Sequence, residues 1–130
     1  MGTDPAFQFC ATADVEDVSG TDLFVCGFRT IDVPVAVGSY TDYAGVGINA
    51  TAITIFDATN TSTDTTDNLA DTETLEMCTK VSAAGVVTYE TDINGAGRAA
   101  PTTTAAHTIG DGLLVIPFCQ LLLDSDLPGV

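Results

Sequence analysis

Apolar and polar residues alternate with a two-residue period along much of this chain. Phe7 and Phe9 alternate with Gln8 and Cys10, and Leu75, Met77 and Val81 alternate with Glu76, Cys78 and Lys80. Between them, Thr51, Ile53 and Ile55 share one face of a run whose other face carries Ala52, Thr54 and Phe56. Such a period belongs to half-buried β-strands. Further runs at 23–28, 31–37, 43–50, 86–89 and 113–123 are rich in Val, Ile, Phe and Tyr and are broken by Gly20, Gly27, Gly38, Gly85 and Gly112. Together these patterns predict about eight short strands. No segment carries an extended helical stripe; 66–77 has room for one helical turn around Leu69. The expected fold is all-β, an antiparallel β-sandwich or small Greek-key barrel with long Thr/Asp-rich loops. Phe24, Phe28, Ile53, Ile55, Leu75, Met77, Val87 and Ile116 are the expected core.

Two prolines interrupt apolar runs, Pro34 within 31–37 and Pro117 within 113–123. Proline cannot donate to a ladder, so both segments are expected at a sheet edge or a bulge. An edge leaves backbone groups unpaired beside apolar side chains, and a partner strand satisfies both. Phe7, Phe9, Val33, Pro34, Val35, Val115, Pro117 and Phe118 are therefore the expected partner-binding residues. The polar stretches 57–74 and 94–108 are expected as long loops on an exposed end.

At 130 residues the chain is expected to form a single β domain over 1–130. With 45% hydrophobic residues it can offset the entropy of ordering. Three Lys and Arg against 18 Asp and Glu give a net charge of −15, which makes nucleic acid and anionic membrane poor partners. The first residues lack the basic-then-apolar pattern of a secretory leader, and the apolar run near the end is too short to cross a bilayer as a helix.

The candidate chemistry is sparse. Cys10, Cys26, Cys78 and Cys119 lack the paired spacing of a zinc or redox site, and there is one histidine. Four cysteines allow three pairings; thiols are expected here, with disulfides if the protein matures outside the cell. Asp64, Asp67 and Asp71, and separately Asp124 and Asp126, lack the order of a calcium loop and are expected to form a solvated acidic face. His107 is expected at the surface, with no nucleophile motif near it, and Gly95-Ala96-Gly97-Arg98 as a turn. No catalytic residue, metal site or cofactor is expected, and the chain is read as a non-enzyme.

The stretch Gly85-Val86-Val87-Thr88-Tyr89 and the run Gly110-Asp111-Gly112-Leu113-Leu114-Val115-Ile116-Pro117-Phe118, in a small acidic all-β chain, resemble the head decoration (cement) proteins of tailed bacteriophages. The resemblance implies a virion structural protein on the outer capsid surface. It would bind the major capsid protein or other structural subunits and stabilise the shell as a homo-oligomer, often a trimer. The negative charge suits an outward position, away from packaged DNA. An extracellular adhesin, pilus or surface-layer β-domain shares the same pattern and would favour oxidised cysteine pairs.

Overall fold

The computed structural model describes residues 5–19 and 23–122. Among these, nine strands follow one another: β1 (Phe7–Val15), β2 (Leu23–Thr30), β3 (Tyr43–Asn49), β4 (Ala52–Asp57), β5 (Thr63–Asn68), β6 (Glu73–Val81), β7 (Val86–Ile93), β8 (His107–Thr108) and β9 (Val115–Leu122). They build two antiparallel sheets packed face to face, ordered β1-β6-β7-β8 and β5-β4-β3-β2-β9. The fold is thus a β-sandwich, and the chain passes between sheets after β1, β5 and β8. No helix among the described residues is long and apolar enough to cross a membrane.

The period-two pattern fills the space between the sheets. Ile53 and Ile55 from β4, Leu75 and Met77 from β6, and Val87 and Tyr89 from β7 are buried there with Phe28, Val46 and Ile48. Of the expected core, Phe24 and Ile116 are only half-buried. Phe24 faces the open side of the sandwich at a cleft described below, and Ile116 lies on the edge strand β9. The 66–77 stretch holds no helical turn: β5 ends at Asn68, β6 begins at Glu73, and Leu69 plugs the core between them.

Two segments differ from the sequence expectation. The 57–74 stretch is not a continuous loop, because Thr63–Asn68 pairs with β4 as an edge strand. The hydroxyl of Thr65 donates to the Ile53 carbonyl at 2.6 Å, and the amide of Thr103 donates to the Thr65 carbonyl. The 31–37 run, in contrast, forms no strand. It is a loop that leads into a 3₁₀ turn at Val37–Ser39 and crosses the outer face of the five-stranded sheet. There Val37, Tyr40 and Tyr43 pack with Val25 and Phe56 in a second small core, against which Val35 and Phe118 also rest. Apolar residues of this loop cover a sheet face instead of extending a ladder, which is why Pro34 marks no sheet edge.

Where the second core ends, β2 and β3 run unusually close. A Cβ on Gly47 would lie 1.9 Å from the Phe24 carbonyl oxygen, and one on Gly27 would lie 2.1 Å from that of Ala44. Only glycine fits this seam.

The cysteines are oxidised, contrary to the expectation of thiols. Cys10 pairs with Cys78 across β1 and β6, and Cys26 with Cys119 across β2 and β9, with Cα atoms 4.1 Å apart in each case. Each bond joins residues that the register places directly opposite, and each fastens an edge strand to its neighbour. Cys10 and Cys78 do occupy the polar outer face that the alternation assigns them, beside Glu76 and Lys80.

Candidate functional site

The eight residues expected to bind a partner do not form one surface. Phe7 and Phe9 point inward from β1 and meet the Phe28 ring edge-on at 4.9 and 6.1 Å, so part of their apolar area is already engaged, and both are half-buried. Val35 and Phe118 lie on the opposite side of the five-stranded sheet. Phe118 packs against Tyr40, the Arg29 guanidinium stacks over the Tyr40 ring at 4.6 Å, and the Gln120 side-chain amide donates to the Val35 carbonyl at 2.7 Å. These contacts strap the loop to the sheet and leave its tip, Val33 at 71% exposure and Pro34, in solvent. Val115 and Pro117 face inward from β9, Val115 half-buried and Pro117 exposed.

The inward row of β9 is the informative one. Val115 packs into the main core while Phe118 packs into the outer one, so Val115, Pro117, Cys119 and Leu121 share the inner face. Toward the far end of that row no described strand lies over them: Pro117 and Cys119 are exposed and Leu121 is 53% exposed. The cause is a mismatch of layers. One sheet has five strands and the other four, and β1, the edge of the smaller sheet, sits over β2 through the Phe7 and Phe9 contacts to Phe28. β9 therefore projects beyond it. A cleft of about 260 Å³ opens there, lined by Ala13, Val15, Phe24, Ile48 and Leu121, with Asp14, Glu16 and Asp17 at its rim.

Backbone geometry differs between the two edges that flank this gap. Antiparallel pairs alternate between hydrogen-bonded and non-hydrogen-bonded, the latter with the closer Cα atoms. The 4.1 Å Cys26–Cys119 and Cys10–Cys78 pairs are of the second kind. Independently, the Thr30 amide donates to the Asp42 carbonyl, so the even residues of β2 bond β3 and its odd residues bond β9. On β9 the backbone of Val115, Pro117, Cys119 and Leu121 is thus directed to the free edge, where Pro117 supplies no donor. On β1 the same alternation directs Gln8, Cys10, Thr12 and Asp14 outward, and no proline interrupts them.

A second polar cluster lies at the other end of the molecule. His107 is buried, not at the surface: its Nε2 is 2.8 Å from Asp42 Oδ1 and its Nδ1 2.9 Å from Thr59 Oγ1. A carboxylate only accepts, so Nε2 donates to Asp42, while Nδ1 pairs with the Thr59 hydroxyl and lies 3.8 Å from Asp57 Oδ1. A hydroxyl against a histidine ring nitrogen is one part of a nucleophilic site. The amides of Thr59 and Asn60, however, both donate to Asp57 Oδ1 and so are not free to stabilise an oxyanion. The cluster pins 105–110 to the sheet ends, and Asp42 accepts the Gly110 amide as well.

Asp57 is fully buried beneath this cluster, and its charge, after burial itself, raises the pKa of Tyr43 and of Tyr89. On the outer face of the smaller sheet, Arg98 grips Glu76 through both carboxylate oxygens and lowers its pKa. The acidic loop residues are taken up singly. Asp64 accepts the Thr66 amide, Asp67 the amide and hydroxyl of Thr102, and Asp71 the Val18 amide. Among the described residues no three metal-ligating side chains converge, and the Asp124-Ser125-Asp126 pair lies outside them.

Taken together, the architecture defines an antiparallel β-sandwich with an uncovered edge. Comparison with protein-family models, curated proteins and solved structures returned no match to this chain.

Proposed function

We propose that this protein is a non-enzymatic structural component that binds the outer surface of an assembled protein shell, a virion capsid, and stabilises it. The observation that supports this reading is the exposed inner row of β9, with Leu121 53% exposed beside a β1 edge that no described strand pairs. Apolar sandwich interior left open to water favours burial against another protein. The charge of −15 fits a position facing outward from a packaged polyanion. The major capsid protein is the partner in this reading, with the chain acting as a homo-oligomer, a trimer by resemblance.

The two disulfides favour a second reading, an extracellular adhesin, pilus or surface-layer domain, because cross-links of this kind persist where the surroundings are oxidising. Mixing the purified chain with shells stripped of it separates the two. Saturable rebinding at a fixed ratio to the shell subunit, with a higher shell-opening temperature, is expected for a cement protein. No binding to any shell, with the chain found on the cell surface or on a filament, transfers the assignment to the second reading.

A further inference from the structure

We infer that the gap beside β1 is a strand-acceptor site that takes one extended segment of a cationic partner, apolar at alternate positions. This rests on the docking reading above and names what docks. Four edges exist among the described strands, and three are closed to pairing. β8 has two residues, β5 is met by the Thr103 amide at the Thr65 carbonyl, and β9 carries Pro117 at an outward position. β1 is nine residues long, has no proline or lysine, and directs the N–H and C=O of Gln8, Cys10, Thr12 and Asp14 outward. Natural edges of that length are normally blunted.

The floor beneath that position fits a strand. A segment added to β1 becomes the fifth strand of the smaller sheet, lying about 10 Å above β9, the usual spacing of packed sheets. Its alternate side chains then point at Pro117, Cys119 and Leu121, which the missing strand leaves exposed. Asp14, Glu16 and Asp17 crowd the end of the cleft where β1 finishes, in a chain with only three Lys and Arg. A second copy would bring a chain of net charge −15 against this acidic end; a segment with Lys or Arg there is attracted instead.

The probes are nine-residue peptides alternating Val and Thr, one ending in two Lys, one ending in two Glu, and one with the same composition in paired Val-Val-Thr-Thr order. The Lys peptide is expected to bind roughly tenfold more tightly than the Glu peptide at low salt, and the paired-order peptide not to bind. Binding is expected to slow hydrogen exchange at the Gln8, Cys10 and Thr12 amides. Thr12→Pro removes one outward donor without touching the β1–β6 ladder, and Leu121→Lys charges the floor. Each is expected to abolish binding with the melting transition retained. Equal binding of all three peptides, or binding without protection of the β1 amides, overturns the inference. So does protection without peptide, whether it vanishes on removing residues 123–130 or accompanies a dimer in sedimentation. If Thr12→Pro protein still rebinds stripped shells, the acceptor site is wrong and the shell reading stands; if the peptide binds but shells do not, the reverse holds.

Discussion

Cys26 and Cys119 stand opposite each other in the β2–β9 register, and their disulfide faces the same uncovered side as Pro117 and Leu121. This sparsely covered edge strand is thus held covalently, as the edge strand β1 is by Cys10–Cys78. β9 has a neighbour on one side only, so without the bond its retention would depend on one ladder, the Val115 and Phe118 packing and the Gln120 bond to Val35.

Replacing both Cys26 and Cys119 by Ala is expected to cost about 4 kcal/mol, the scale for a cross-link whose sequence separation is 93 residues. Urea unfolding of the oxidised variant against the oxidised parent measures it, with Cys10–Cys78 intact in both. Thiol labelling of the native protein should give no product until reductant is added.

The Tyr89 hydroxyl is buried and has no hydrogen-bond partner, while burial first and Asp57 second raise its pKa. A phenol held neutral in the fold but free to ionise when unfolded makes the unfolded state bind fewer protons at high pH. Its contribution is complete below about pH 10 and is lost progressively above it. Tyr89→Phe should therefore be neutral or stabilising by about 1 kcal/mol at pH 7, and should flatten the decline of melting temperature between pH 9 and 11.

Gly47→Ala places a methyl group 1.9 Å from the Phe24 carbonyl oxygen, within backbone that cannot yield without separating β2 from β3. The expected cost is about 3 kcal/mol or more, seen as a lowered urea midpoint. Gly95→Ala is the contrasting control: its cost should come from its φ of +73° alone, since nothing lies within 4 Å of the added atom.

Ile55→Ala removes a side chain with no exposed surface between the two sheets. A loss of about 2–5 kcal/mol is expected from the deleted methyl groups and the cavity left behind.

Raising NaCl from 0.1 M to 1 M shortens the Debye length from about 10 Å to about 3 Å. With a net charge of −15 and three Lys and Arg, self-repulsion is screened and the melting temperature should rise. An unchanged value would mean that bound cations already neutralise the carboxylates, which a calcium titration followed by calorimetry would detect.

How far the chain could be read in advance depended on whether a pattern was local. The alternation around Ile53 and Ile55 placed both in the inter-sheet core, since one face of a two-residue period either packs or does not. β5 escaped notice because Thr63–Asn68 is wholly polar and becomes a strand through its pairing with β4 and the Thr65 hydroxyl bond. The 31–37 run looked like a strand because covering a sheet face demands the same residue types as lying within a sheet. His107 gave no sign of burial, as its partners Thr59 and Asp42 are 48 and 65 positions away. The 113–123 run was legible as a strand, but which of its residues face inward and stay exposed follows from sheets of unequal width, which no single strand encodes.

The Cys26–Cys119 bond also decides how the molecule bears tension. Pulled from its first and last described residues, the covalent path runs along the chain to Cys26, through the disulfide to Cys119, and out along β9. Residues 27–118, which include β3 to β8 and most of both cores, lie off that shortest covalent path, so stretching the chain to its covalent limit leaves them folded. The segments that can be drawn out are those before Cys26 and the end of β9 beyond Cys119, and the Cys10–Cys78 bond passes part of the force on β1 to β6. The protein should therefore behave under force as a short tether with an inextensible body.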